Sequence, residues 1–267
     1  MERVAGRVIV TGAGSGLGAA LCDLLAARGA RIVAADIDLA AARATAERGG
    51  PSVHAVQCDV ADLAAVERLA AEADRLIGGV DLLVNNAGVA VVGQVGAVPM
   101  ADWRWVIDVN LWGVIYGCHV FVPKLRAQRS GHILNVASAA GLIAMPSMAP
   151  YNVTKAAVVA LSETLYADLA DEGVGVSVLC PSFFPTNLTR SARTSVDARL
   201  HRAAMRLVEQ GSWTAEAVAR AALAGVEAGT LHITPQLDLR WAWRFKRLAP
   251  EVFQRISRRI AARMMGD

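Results

Sequence analysis

Charge is scarce in this chain. Only 19% of its 267 residues are charged, against 54% hydrophobic, and the twenty positions before Lys155 hold no Asp, Glu, Lys or Arg at all. Turn residues nevertheless recur regularly, so the composition excludes a disordered chain and points to compact folding as one large domain. Long unbroken apolar runs are also missing. Leu82 to Ala101 and Gly131 to Thr154 are uncharged, but Asn, Gln, Gly and Pro interrupt them, so neither reads as a membrane span. The N-terminus passes almost directly into the strand pattern VIVTG without a cleavable apolar segment, and a cytoplasmic protein is expected. Cysteine is sparse: Cys22, Cys58, Cys118 and Cys180 stand far apart with no Cys-x-x-Cys spacing, and His54 and His119 complete no ligand cluster. Small buried thiols are expected, and no metal site.

What charge there is lies unevenly. The net charge is +3, but from Arg240 to Asp267 eight Arg and Lys face only Glu251 and Asp267, so this tail carries +6 and the remainder −3. Trp241, Phe245, Leu248, Val252, Ile256, Ile260 and Met264 recur there at spacings of three and four, which describes a basic amphipathic helix pair interrupted at Pro250. Three roles stay open for residues 240–267: packing on their own domain 1–239, closing a subunit interface, or lying on an anionic membrane surface. Nucleic-acid binding is not expected, because the basic residues sit on one amphipathic tail without a reading motif.

Along the body, strand-length apolar runs (Arg7–Thr11, Arg31–Asp36, Val53–Asp59, Asp81–Asn85, His132–Ser138, Val174–Pro181) alternate with helical segments such as Leu17–Arg28, Leu39–Arg48 and Leu63–Leu76. Near-continuous Val, Ile and Leu in the strands suit burial on both faces. The expected fold class is α/β, a Rossmann-type doubly wound parallel sheet in three α/β/α layers. After the strand at Val174–Pro181 comes an irregular stretch, about 183–211, of the kind that forms a lid over a site at a strand's carboxyl end.

The turn TGAGSGLG, residues 11 to 18, follows the first strand and opens the first helix. Glycines there let backbone approach a pyrophosphate, and the helix N-terminus offers free N–H groups. Asp36 ends the second strand, eighteen residues after Gly18, where a dinucleotide-binding unit places a carboxylate for an adenosine ribose. Ile37 follows it, and no basic side chain stands immediately beside it to attract a 2′-phosphate. NAD is therefore expected over NADP.

Thr11-Gly12-x-x-x-Gly16-x-Gly18, Asp59, NNAG at 85–88, Asn110, Ser138 and Tyr151-x-x-x-Lys155, in that order, resemble the short-chain dehydrogenase/reductase family of classical type over roughly Val8 to Thr186. The resemblance implies that Tyr151 is the general acid and base, that Lys155 lowers its pKa and holds the nicotinamide ribose, that Ser138 holds the substrate oxygen, and that Asn110 sits beside Lys155 in a proton relay. For the cofactor it implies Thr11, Gly12, Gly14, Ser15, Gly16, Leu17 and Gly18 at the turn, Asp36 and Ile37 after the second strand, Asp59 and Val60 at the adenine, and Asn86, Ala87 and Gly88 beside the adenosine. Tyr151, Lys155, Pro181 and Thr186 complete that set. Where the family commonly has Pro-Gly, this chain has Pro181-Ser182.

A free phenol titrates near pH 10, too high for efficient proton transfer at neutral pH, and an ammonium at i+4 on one helix face would favour the phenolate. Pro150 suits the first turn of that helix. Ala139, Ala140, Leu142, Met145, Met148, Phe183 and Phe184 flank the pair and offer almost no hydrogen-bonding group beyond Ser138, so a lipophilic alcohol or ketone is the expected substrate. A secondary alcohol–ketone oxidoreductase, homodimeric or homotetrameric, is the leading expectation. An NADPH-dependent 3-ketoacyl reductase and a noncatalytic cofactor-binding protein of the same fold are the alternatives.

Overall fold

The computed structural model describes residues 6–185, 188, 192–194 and 211–266, with side chains described as far as Ile260. Thr186 and most of the expected lid, 183–211, lie outside the described residues.

The first half alternates as its periodicity implies: β1 (Arg7–Thr11), α1 (Gly16–Ala26), β2 (Arg31–Asp36), α2 (Leu39–Gly49), β3 (Val53–Gln57), α3 (Leu63–Ile77) and β4 (Leu82–Asn85). Then come β5 (Val91–Val92), α4 (Met100–Ile107), α5 (Gly113–Gln128), β6 (Gly131–Val136), the short α6 (Ala139–Ile143) and α7 (Ala149–Asp168). The chain continues through β7 (Val174–Leu179), β8 (Arg193–Thr194), α8 (Ala215–Glu227), β9 (His232–Ile233), α9 (Leu237–Leu248) and α10 (Pro250–Gly266). The third, fifth and sixth expected strands each end two residues early, because their last residues turn out of the sheet toward the site.

One seven-stranded sheet, ordered β3-β2-β1-β4-β6-β7-β9, pairs in parallel throughout. Strand residues alternate between its faces, as a parallel sheet covered on both sides requires. Ile9, Val33, Leu83 and Ile133 belong to a core shared with α3, α5 and α7; Val8, Ile32, Leu82 and Leu134 belong to the opposite core, shared with α1 and α8. The four cysteines are free and buried, as expected. Burial pushes each thiol up to about 12, so all four stay protonated at neutral pH.

The run from Met100 to Gln128 is helical almost without a break, although no alternation of apolar and polar residues announced it. It has the length and apolar composition of a membrane span, yet Val114, Cys118, Phe121, Val122 and Leu125 from it fill the core under the sheet. A π-helical turn at Asp108–Trp112 joins α4 to α5, and such turns shift the helix register by one residue, often at functional positions.

Candidate active site

The strand order reverses beside β1, and a crevice opens there at the carboxyl ends of the strands, the usual ligand position in doubly wound sheets. A cavity of about 470 Å³ lies in it, lined from Gly12, Ser15, Gly16 and Leu17 past Asp36 and Ile37 to Asp59 and Val60, and on through Asn86, Ala87 and Gly88 to Ser138, Tyr151, Lys155 and Pro181. Residues as far apart in sequence as Gly12 and Pro181 thus line one cavity.

At one end stands the N-terminus of α1. Asp38, Asp62 and Thr214 close the starts of α2, α3 and α8 with side-chain hydrogen bonds, whereas Ser15 makes no such bond at α1 and no acidic residue occupies its first turn. Its amides are left for an anion. Gly12 turns at φ 63°, and a Cβ there would stand 2.8 Å from the Cα of Ala87; a Cβ on Gly18 would stand 2.1 Å from the carbonyl oxygen of Gly12. Thr11 ties this turn to the next: its hydroxyl accepts from the amides of Asn86 and Ala87 at 3.0 and 3.1 Å, and the Asn86 side chain donates to the carbonyls of Thr11 and Gly12. Thr11, Gly14 and Gly18 therefore stand behind the cavity wall and shape it, while Gly12, Ser15, Gly16 and Leu17 face it.

Asp36 ends β2 with its carboxylate accepting from the amides of Gly14 at 2.8 Å and Asp38 at 3.0 Å. It borders the cavity beside Ile37. Asp59 also borders it, with one carboxylate oxygen taken by the amide of Ala61. An uncapped helix start, a glycine cradle without room for side chains and a carboxylate at the neighbouring strand end fit a dinucleotide.

At the other end the reacting groups gather. Ser138 caps α6, accepting from the amide of Ala140 at 3.2 Å; Tyr151 and Lys155 lie one turn apart at the start of α7, at 7% and 3% exposure. The Lys155 ammonium donates to the carbonyl of Val136 at 2.8 Å and lies 5.7 Å over the Tyr151 ring. The electrostatics differ from the expectation of a lowered phenol pKa. Burial pushes Tyr151 up to about 12, and the hydrogen bond with Ser138 only partly opposes it. Burial also pushes Lys155 down to about 8. Desolvation disfavours both charges, and the ammonium meets the ring rather than the hydroxyl, so in the protein alone the phenol is neutral.

Asn110 stands behind the cavity wall rather than on it. It sits in the π-helical turn, fully buried, with its amide accepting from the Val89 N–H and donating to the Val89 carbonyl, both at 2.8 Å, and donating to Thr154 at 3.3 Å. It reaches the Lys155 ammonium only across Gly88, whose missing Cβ would lie 3.3 Å from Asn110 Oδ1 and 3.5 Å from Lys155 Nζ. It clamps the NNAG segment to α7.

The apolar end is built from Ala139, Ala140, Met145, Met148, Phe183 and Phe184, as expected. Leu142 is a correction: it turns into the core beneath the sheet. Val89, Ala90, Val92, Trp105, Val109, Leu188 and Ala192 also line it and went unnoticed in the sequence. Only the apolar run after NNAG could have marked the first of them. Trp105 further stacks under the Arg193 guanidinium at 3.8 Å, and Arg193 pairs with Asp102 at 2.9 Å, which fixes β8 beside β5. Ser182, standing where family members commonly have glycine, gives its amide to the buried Gln236 side chain at 3.0 Å, which sets the path of this loop.

Residues 6–197 match the family model described as short chain dehydrogenase. The chain belongs to the short chain dehydrogenase family. Among relatives of this family, a 1-deoxy-11-beta-hydroxypentalenate dehydrogenase from Streptomyces avermitilis is 40% identical over 190 residues, covering 68% of this chain and 70% of the relative. A CLA biosynthesis dehydrogenase/reductase from Lactiplantibacillus plantarum is 35% identical over 187 residues, and the match spans 68% of this chain but less than two thirds, 65%, of that protein. A short chain dehydrogenase/reductase from Burkholderia phymatum, solved in complex with NAD, superposes with a TM-score of 0.88 at 36% identity and covers 94% of this chain and 96% of its own. The short chain dehydrogenase family and its single-domain fold are thereby shown.

Proposed function

We propose that this chain interconverts a lipophilic secondary alcohol and its ketone with NAD, and that Tyr151 carries the proton. One observation bears most of this reading: a buried phenol and the Ser138 hydroxyl meet at the apolar end of a cavity whose far end is an uncapped helix N-terminus beside Asp36. The nicotinamide cofactor, when bound, supplies the hydride acceptor or donor. Everything else falls to the chain. The Ser138 hydroxyl orients the substrate oxygen, and the neutral Tyr151 hydroxyl stands ready to give that oxygen a proton in the reducing direction. In the oxidising direction the Tyr151 phenolate takes the proton of the alcohol and becomes the neutral phenol, and the adjacent Lys155 charge lowers the cost of that phenolate in a site with little water.

Asp36 supports NAD. Its carboxylate would accept from ribose hydroxyls and repel a 2′-phosphate, and its neighbour Ile37 is exposed and apolar. The lining of Met, Phe, Val and Ala supports a lipophilic substrate, since a polyol would leave hydroxyls unpaired there. The Streptomyces relative is itself named as the dehydrogenase of a hydroxylated compound. An NADPH-dependent 3-ketoacyl reductase sits less well with the Asp36 carboxylate, which would repel the 2′-phosphate.

The test is a panel of secondary alcohols, hydroxysteroids and hydroxyacyl thioesters assayed with NAD and with NADP, on the wild type and on Tyr151→Phe. Turnover of lipophilic alcohols with NAD is expected, reduced in Tyr151→Phe by about a hundredfold to ten-thousandfold with cofactor binding kept. Wild-type rates in Tyr151→Phe would refute the proton role.

A further inference from the structure

The apolar residues of α9 and α10 do not form one docking stripe. Leu239, at 2% exposure, and Trp243, whose ring meets that of His232 at 5.0 Å, seat α9 on its own domain, and Lys246 donates to the carbonyl of Leu142 at 2.6 Å at the end of α6. The opposite side of the same helix carries Leu237, Trp241, Phe245 and Leu248, all exposed, Leu248 at 86%. Their spacing of four, four and three puts them on one helix face. On α10, Val252, Ile256 and Ile260 repeat at intervals of four and are exposed as well. Phe245 and Phe253 meet edge to ring at 6.1 Å and join the two helices into a single unit.

Exposed arginines border this second face on both helices: Arg244 seven residues after Leu237, Arg255 and Arg259 three and seven after Val252, while Arg240 turns back to donate to the Thr234 carbonyl at 3.0 Å. The Arg244 guanidinium lies 5.4 Å from the centre of the Trp241 ring. An apolar stripe edged by cations calls for a partner that is apolar inside and anionic outside. A second copy of this tail is a poor match, because it would set one +6 segment against another. A bilayer with anionic headgroups meets both demands: Trp and Leu settle at the headgroup boundary and Arg pairs with phosphate.

We propose that the outer face of α9 and α10 docks this protein on an anionic lipid bilayer. α9 packs along α6, the helix that contributes Ala139 and Ala140 to the cavity wall, so docking sets the apolar end of the cavity on the membrane side of the domain. The proposal does not depend on which molecule is turned over.

The experiment is cosedimentation of the full chain with vesicles of phosphatidylcholine alone and of equal parts phosphatidylcholine and phosphatidylglycerol. At least tenfold stronger partitioning onto the anionic vesicles is expected, weakening steeply as salt is raised. The combined variant Trp241→Gln, Leu248→Gln, Ile256→Gln changes only exposed side chains, so it should keep the wild-type melting temperature and NAD affinity while losing at least tenfold in partitioning. Arg244→Glu with Arg259→Glu should erase the preference for anionic lipid. No binding above the phosphatidylcholine control, or equal binding by the combined variant, would overturn the proposal. So would a wild type that ignores vesicles but forms, through this face, an oligomer that the combined variant cannot form.

Discussion

The Lys155 ammonium donates to the carbonyl of Val136 at 2.8 Å, fully inside the protein, at the point where β6 gives way to the loop bearing Ser138. This contact holds the head of α7 against the sheet end and keeps the cation under the Tyr151 ring. It also buries a charge, and that has a measurable cost. Folding moves Lys155 from its ordinary 10.5 down to about 8. Between those values the unfolded chain binds more protons, so stability should rise with pH from about 8 to about 10.5, by up to about 3 kcal/mol for this group. Tyr151, pushed up to about 12, works the other way only above pH 10, where the folded chain keeps a proton that the unfolded chain loses. The four buried thiols, also pushed up to about 12, oppose this from about pH 9 in wild type and variant alike, so the Lys155 contribution is read as a difference: from pH 7 to 9.5 the denaturant midpoint of the cofactor-free wild type should gain on that of Lys155→Met. A wild-type to Lys155→Met difference that does not change with pH would mean that water reaches the ammonium.

Asp36 offers a test of cofactor choice. Asp36→Asn keeps an oxygen to accept from Gly14 or Asp38 but removes the charge. Titration of each cofactor should show NAD affinity reduced severalfold and the NAD to NADP preference narrowed by about tenfold, roughly 1.4 kcal/mol. Asp36→Ala leaves both amides unpaired and should weaken NAD binding further. Equal affinity of the wild type for the two cofactors would end the argument from the carboxylate.

The glycine turn separates residues that touch a ligand from residues that make room. Gly18→Ala would drive a Cβ to 2.1 Å from the Gly12 carbonyl and 2.7 Å from the Asn86 amide nitrogen. The expected result is a loss of about 1–3 kcal/mol in thermal or denaturant stability even without cofactor, as for other overpacked positions. Unchanged stability with lost NAD binding would instead make Gly18 a contact residue.

Much of this arrangement was legible beforehand because it is local. Strand runs, the glycine turn, Asp36 and the Tyr151–Lys155 spacing each depend on a few consecutive residues and fixed periodicities. What escaped was set by long-range contacts. Asn110 is marked only by the family resemblance, as a neighbour of Lys155, and its bonds to Val89 and Thr154 depend on the π-helical turn that holds it. Met100–Gln128 is apolar on most sides because it packs on the sheet and on its neighbours, so no amphipathic pattern marks it. Leu142 and Met145 stand three residues apart in a stretch that turns from helix to loop, and only the fold sends one to the core and the other to the cavity. The expected fall in the phenol pKa failed for a related reason. Spacing brought the ammonium near the ring, but burial depth, which spacing does not encode, outweighed it.

Asn152, inside the Tyr151–Lys155 motif, positions the substrate end. Its side chain donates to the Met145 carbonyl at 2.6 Å and accepts from the Met145 amide at 3.2 Å, spanning a loop in which Ala144 and Ser147 adopt φ of 40° and 56°. Such backbone is strained for residues with a Cβ and persists only where neighbours hold it. The Gly93 amide, donating to the Ser147 carbonyl at 2.7 Å, is the second hold. Asn152→Ala removes the first, so Met145 and Met148 should lose their fixed place on the cavity wall. Steady-state kinetics on a lipophilic alcohol should give a KM raised by about tenfold, equivalent to one buried hydrogen bond of about 1.4 kcal/mol, with kcat and NAD affinity nearly unchanged. Asn152→Asp keeps the acceptor and should fall between. If kcat dropped while KM held, Asn152 would be acting on Tyr151 through the start of α7, and the loop would not be its target.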